Sequence, residues 1–205
     1  GTYQASTGQA SCTDASAGYY VGSTAATAQT ACSAGTYQAS TGQSSCTDAS
    51  AGYYVDSTAA TAQTACSAGT YNPNSASTSA SACTTTDAGY YAAAGSASQT
   101  AASAGYYAAA GSASQTACAT GTYQASTGQA SCTQASAGYY VDSTAATAQT
   151  ACSAGSYQAS TGQTSCTDAS AGYYVPTTAA TAQTACATGT YNPSTGQTSC
   201  IDASV

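Results

Sequence analysis

A motif of seventeen residues repeats along this chain and limits what the chain can fold into. Residues 32–48, CSAGTYQASTGQSSCTD, align without a gap with residues 49–65, ASAGYYVDSTAATAQTA. The shared frame has Cys or Ala at position one, Gly at four, Tyr at six and Cys or Gln at fifteen. A unit this short encloses no core of its own, so we expect it to be stabilised by stacking against its neighbours.

Two versions of the unit alternate over most of the chain. A units carry cysteine at positions one and fifteen, whereas B units carry adjacent tyrosines at five and six. Units begin at residues 15, 32, 49, 66, 86, 102, 118, 135, 152, 169 and 186, after a truncated first unit, and we number them 1 to 12. Because the chain begins and ends inside the frame without caps, we expect it to be part of a longer array or to abut further copies.

The composition provides little material for a hydrophobic core. Leu, Phe, Trp and Met are absent, so tyrosine supplies most of the bulk. Ordering a residue costs about 1–2 kcal/mol of backbone entropy, which the burial of Ala, Ser and Thr offsets poorly. Eleven cysteines in such a chain are typical of an extracellular disulfide framework. The sequence predicts a small all-β, disulfide-rich fold: an elongated tandem array of about twelve 17-residue hairpin units with little hydrophobic core.

Each unit is predicted to form a short hairpin. The apolar residues follow no helical period, and Thr, Ser and Gly are poor helix formers. We predict strands at G-T-Y-Q and Q-x-S-C around a turn at A-S-T-G, where Gly42 or Gly128 takes a positive φ. The regularity of the repeat divides the chain into residues 1–65, 66–117 and 118–205. The middle segment contains the insertion NPNSASTSAS and two successive B units. These irregularities indicate either a bend or lateral contact in this segment, or simple drift of the repeat.

The cysteines at positions one and fifteen are gained and lost together. We therefore favour pairing inside each A unit: Cys32 with Cys46, Cys66 with Cys83, Cys118 with Cys132, Cys152 with Cys166, and Cys186 with Cys200. Cys12 would then pair with a residue that precedes Gly1. A rival scheme pairs cysteines across B units, beginning with Cys12 and Cys32, and leaves Cys200 alone. Zinc binding is not expected, because the chain has no histidine and no C-x-x-C.

The charge excludes several kinds of partner. The chain carries seven Asp and no basic residue, a net charge of −7 that repels phosphate backbones and anionic lipids. We expect no nucleic-acid partner, and no membrane insertion because no apolar run is long enough to span a bilayer.

Asp14, Asp48, Asp168 and Asp202 share one frame position and are expected to lie far apart. We therefore predict a solvated acidic face rather than a calcium contact, and no catalytic residue, metal, cofactor or enzyme activity.

The tyrosine at position six recurs in every unit and is predicted to pack each unit on its neighbour. B units carry a second tyrosine at position five: Tyr19, Tyr53, Tyr90, Tyr106, Tyr139 and Tyr173. Because it occurs where the cysteines are missing, it either compensates by packing or faces another copy of the chain. The abundant Ser and Thr are candidate O-glycan acceptors, whereas no N-x-S/T sequon is present.

The string CSAGTYQASTGQSSCTDASAGYYV resembles the ephrin-receptor-like cysteine-rich repeat, whose pattern is roughly C-P-x-G-x-Y, a polar turn, then C-x-x-C-P. Two features depart from it, since Cys-Ser or Ala-Ser replaces Cys-Pro and the C-x-x-C becomes Cys46-Thr-Asp-Ala49. Such repeats occur in receptor ectodomains and in large extracellular proteins, including those of flagellar hairs (mastigonemes). The resemblance implies an extracellular rod without catalytic residues.

Together these features predict a structural protein of an extracellular filament or surface appendage, self-assembling with copies of itself through repeat stacking. The alternative is the stalk of a cell-surface receptor-like or adhesive ectodomain. Such an ectodomain should include a non-repetitive ligand-reading segment, which this sequence lacks. An ice-binding array would need a T-x-T ladder, which is also missing.

Overall fold

The computed structural model describes residues 1–203, which form two compact bodies. The N body comprises residues Gly1–Asp87, Tyr91–Thr100 and Ala110–Ser114. The C body comprises Ala88–Tyr90, Ala101–Ala109 and the chain from Gln115 onward. The change from one body to the other falls within the middle one of the three segments that the sequence predicts, residues 66–117.

The fold is all-β, as predicted, and consists of twelve two-stranded sheets, one for each unit. One 3-10 turn, Ala80–Ala82, lies in the insertion of unit 5. The strands of units 1 to 6 are β1 Thr2–Tyr3, β2 Thr13–Asp14, β3 Tyr19–Tyr20, β4 Thr30–Ala31, β5 Thr36–Tyr37, β6 Thr47–Asp48, β7 Tyr53–Tyr54, β8 Thr64–Ala65, β9 Thr70–Tyr71, β10 Thr84–Thr85, β11 Tyr90–Tyr91 and β12 Thr100–Ala101. Those of units 7 to 12 are β13 Tyr106–Tyr107, β14 Thr116–Ala117, β15 Thr122–Tyr123, β16 Thr133–Gln134, β17 Tyr139–Tyr140, β18 Thr150–Ala151, β19 Ser156–Tyr157, β20 Thr167–Asp168, β21 Tyr173–Tyr174, β22 Thr184–Ala185, β23 Thr190–Tyr191 and β24 Ile201–Asp202.

The hairpin register fixes which residues face each other within a unit. In unit 3, position five pairs with seventeen and six with sixteen, so Thr36 lies opposite Asp48 and Tyr37 opposite Thr47. The first strand and the positive φ of the turn glycine are confirmed, with φ +68° at Gly42. The prediction of a second strand at Q-x-S-C is wrong, because pairing resumes only after the cysteine.

The displaced second strand has a physical cause in the contacts between units. The backbone at position seven bonds to the next unit instead of to its own hairpin, so the residues between seven and fifteen form a loop. Four backbone hydrogen bonds join unit 3 to unit 4 in this way: Gly35 N–H to Val55 O (2.8 Å), Ala49 N–H to Gly35 O (2.8 Å), Gln38 N–H to Ala60 O (3.0 Å), and Ala59 N–H to Cys32 O (2.8 Å). Equivalent bonds recur along both bodies, which makes the backbone the main contact between units.

The buried residues are small and form a narrow row along the units. This agrees with the prediction of little hydrophobic core. Apart from Ser77 in the insertion of unit 5, they occupy positions one, four and seven of the frame. Position one contributes Ala15, Cys32, Ala49, Cys66, Thr86, Ala102, Cys118, Ala135, Cys152 and Ala169, and position seven contributes Val21, Val55, Asn72, Ala92, Ala108, Gln124, Val141, Val175 and Asn192. Cysteine and alanine substitute for each other at position one because the interior there has room only for a small side chain.

Glycine at position four meets three requirements at once, as Gly52 shows. Its φ is +88°, a conformation that costs a residue with a Cβ about 1–2 kcal/mol. Its N–H donates to Asn72 O at 2.7 Å, and its carbonyl accepts from Cys66 N–H at 2.9 Å. A Cβ at this position would overlap the carbonyl of Gly95, two units further along the chain. The repeat therefore excludes any larger residue at this position.

We expect Gly52→Ala to lower the free energy of unfolding by about 3 kcal/mol or more, because backbone strain adds to an overlap that small side-chain movements cannot relieve. Gly42→Ala is the matched control, with φ +68° but only ordinary contact between its new Cβ and Asp14. B units already carry alanine at this turn position, for example Ala59 with φ +56°.

Guanidinium unfolding followed by circular dichroism measures both variants under oxidising conditions. Equal losses of stability would contradict the close approach at position four, since the two sites differ mainly in that contact.

Candidate functional site

A units are closed by disulfides between positions one and fifteen. The structure contains Cys32–Cys46, Cys66–Cys83, Cys118–Cys132, Cys152–Cys166 and Cys186–Cys200, with Cα atoms 5.7–5.8 Å apart. This is the pairing within units that the sequence favours, and the rival scheme across B units does not form. Cys12 is exposed and has no disulfide partner among residues 1–203.

B units are closed at the same place by a glutamine that sequence reasoning missed. In unit 4 the backbone N–H of Ser50 donates to Oε1 of Gln63 at 2.7 Å, which joins position two to position fifteen. The same bond closes every B unit, between Ser16 and Gln29, Ser50 and Gln63, Asp87 and Gln99, Ser103 and Gln115, Ser136 and Gln149, and Ser170 and Gln183. The signal was present in the sequence, because glutamine appears at this position whenever cysteine is missing.

A second set of amides, at position seven, holds the loops. In unit 3, Nε2 of Gln38 donates to Ser45 O at 2.9 Å, while its Oε1 accepts from Ser40 N–H at 3.1 Å. Asn72 takes this position in unit 5, is fully buried, and donates to the carbonyl of Tyr53 in the preceding unit at 3.0 Å. Amide side chains therefore both close the loops and reinforce the contacts between units.

The position-five tyrosines of B units are partly used inside the chain. The hydroxyl and ring of Tyr53 lie close to Gly95, and the hydroxyl of Tyr90 lies near Gly128, each two units further along the chain. Tyr19, Tyr53, Tyr90, Tyr106 and Tyr139 are half-buried, and Tyr173 is 38% exposed. Packing within the chain is thus observed at two of these side chains, whereas contact with another copy stays a prediction.

The position-six tyrosine of a B unit borders the following A unit. In the N body a shallow groove of about 300 Å³ lies between units 2 and 3, lined by Tyr20, Ser33, Thr36, Ser45 and Cys46. In the C body a groove of about 500 Å³ has the same position between units 7 and 8, with Tyr107, Ala119, Thr122, Ser131 and Cys132 in its walls.

The acidic residues do not gather into a site. Asp14, Asp48, Asp168 and Asp202 are exposed. Within residues 1–203, no three His, Cys, Asp or Glu side chains lie close enough together to hold a metal ion. Over the same residues, no helix combines the length and the apolar character needed to cross a membrane.

Comparison with known families supports the resemblance read from the sequence. Residues 105–152 match the family model described as tyrosine-protein kinase ephrin type A/B receptor-like. This segment covers most of unit 7 and all of units 8 and 9, and it includes the Cys118–Cys132 disulfide and the glutamine closure between Ser136 and Gln149. Disulfide-bonded or glutamine-closed hairpins also recur over the rest of the described chain, which is consistent with ephrin-receptor-like cysteine-rich repeats. The chain has no significant match among curated proteins.

Changing both closing residues of a B unit to cysteine should convert its hydrogen-bonded closure into a disulfide. We expect Ala49→Cys with Gln63→Cys to raise the free energy of unfolding by about 3 kcal/mol, because a loop of this length loses that much entropy in the unfolded state. Gln63→Ala alone should lower it by about 0.5–1.5 kcal/mol, the net contribution of one hydrogen bond. Non-reducing peptide mapping and guanidinium unfolding check both results; failure of the new pair to oxidise would argue against equivalent geometry in A and B units.

Reduction of the five disulfides should remove most of the ordered structure. Each disulfide contributes about 3 kcal/mol, which is large compared with the total stability of about 5–15 kcal/mol typical of folded chains. Far-UV circular dichroism with and without reductant measures the change. An unaltered spectrum would show that the hydrogen bonds between units hold the fold without the disulfides.

Proposed function

We propose that this chain is a structural segment of an extracellular filament or surface appendage, in which repeats stack and copies associate with one another. The observation that carries the proposal is the bonding between units, in which backbone groups at positions one, four and seven find their partners in the neighbouring unit. Such an arrangement uses each unit as a support for the next and has no intrinsic limit in length.

Disulfides and the ephrin-receptor-like match both support an extracellular location. Disulfides persist in oxidising compartments and are rare in a reducing cytosol. The proposed role is non-enzymatic and requires no cofactor. A flagellar-hair setting and attached O-glycans are finer predictions within this proposal.

The second candidate is the stalk of a receptor-like or adhesive ectodomain. It is favoured by the description of the matched family, which names ephrin type A/B receptors. In that role the repeats would act as a spacer, and association between copies would not be needed.

Self-association separates the two candidates. We expect unreduced protein to form assemblies whose mass rises with concentration, because a weak aromatic contact of about 0.5–1.5 kcal/mol is multiplied when several B units present it. Replacing the six position-five tyrosines with threonine, the residue usual at that position in A units, should weaken assembly.

Light scattering and electron microscopy measure the mass and shape of the assemblies. A matched variant with six exposed loop threonines changed to serine should assemble normally. A monomer whose mass is independent of concentration would reject the filament and favour the stalk.

A further inference from the structure

The groove between a B unit and the following A unit is a candidate binding site that packing alone does not explain. An example is found in each body, and Tyr20 and Tyr107 take the same frame position in the two grooves. Its opposite wall includes a threonine at position five, Thr36 or Thr122. B units carry the larger tyrosine at that position. The sequence repeats this B-to-A junction five times.

The groove offers an aromatic ring and hydroxyl groups that have no partner within the protein. Among residues 1–203, the hydroxyls of Tyr20, Ser33 and Ser45 make no hydrogen bond, nor does that of Tyr107 or Ser131. The hydroxyl of Thr36 donates to Ser33 O at 2.8 Å, which leaves its oxygen free to accept. No charged side chain lines either groove.

We propose that these grooves bind neutral pyranose units of a polysaccharide. The apolar C–H face of a pyranose packs against an aromatic ring, while its hydroxyls both donate to and accept from Ser, Thr and Tyr hydroxyls. Volumes of about 300–500 Å³ lie at the small end of ligand pockets, of roughly 300–1,000 Å³, and suit one or two sugar units. The net charge of −7 disfavours anionic saccharides.

Binding at a single shallow groove should be weak, but the junction recurs along the chain. A polysaccharide that contacts several grooves gains affinity because each later contact is intramolecular. The inference does not depend on self-association, since a filament and a receptor stalk would both present the same grooves.

The experiment is a titration of the oxidised, isotope-labelled protein with cellotetraose, xylotetraose and chitotetraose separately, with an oligogalacturonate as the anionic comparison. We expect saturable shifts of the amide signals of Thr36, Ser45, Thr122 and Ser131 with at least one neutral probe. Tyr20→Ala combined with Tyr107→Ala should weaken binding at these two grooves at least tenfold.

A second pair of variants keeps the test independent of folding. Ser45→Tyr combined with Ser131→Tyr places a bulky side chain at an exposed wall position of each groove, so these grooves should lose binding while the thermal transition is retained. Thr41→Tyr, at an exposed loop position, should bind like the parent protein.

Three results would overturn the proposal: no saturable shift with any neutral probe, stronger binding of the anionic oligomer, or unchanged binding in the obstructed variant. If the amide signals of the groove residues shift with protein concentration in the absence of sugar, the groove is instead a contact between copies of the chain. Assembly measured separately on the same variants distinguishes failure of this site from failure of the proposed filament.

Discussion

The hydrogen-bonded junction around the position-four glycine is the contact on which the rest of the structure depends. In one junction the N–H of Gly35 donates to Val55 O in the next unit, and its carbonyl accepts from Ala49 N–H. Its Cα also lies against the turn of the unit after that, where Ala76 leaves no room for a Cβ. A two-stranded hairpin alone is at best marginally stable in water, so within each body these contacts join isolated hairpins into a stacked series.

The closures complete the units that these junctions connect. Cysteine at position one is buried in the narrow interior and bonded to a cysteine at the surface, whereas alanine at the same position is accompanied by glutamine at fifteen. One closure is covalent and restricts the unfolded chain; the other is a hydrogen bond that is lost on unfolding. Alternation of the two preserves the hairpin geometry with half the cysteines and without a sizeable apolar core.

The size of the residue at position five links the architecture to the surface. Tyrosine there reaches the turn two units further along the chain, as Tyr53 does at Gly95, whereas the threonine of an A unit, Thr36, lines a groove beside the preceding tyrosine. Uncharged aromatic and hydroxyl surfaces suit contact with other copies or with neutral glycans better than contact with nucleic acid.

The sequence by itself determined the repeat, the all-β hairpins and the family resemblance, and its joint gain and loss of cysteines favoured the disulfide partners over the rival scheme. These features are local, because a hairpin and its closure involve residues at most seventeen apart in sequence. Only the tertiary structure decided the true second strand after Cys46, the glutamine closures and the grooves. They depend on how position seven bonds to the next unit and on which side chains then meet, and a repeat pattern does not specify contacts between its copies.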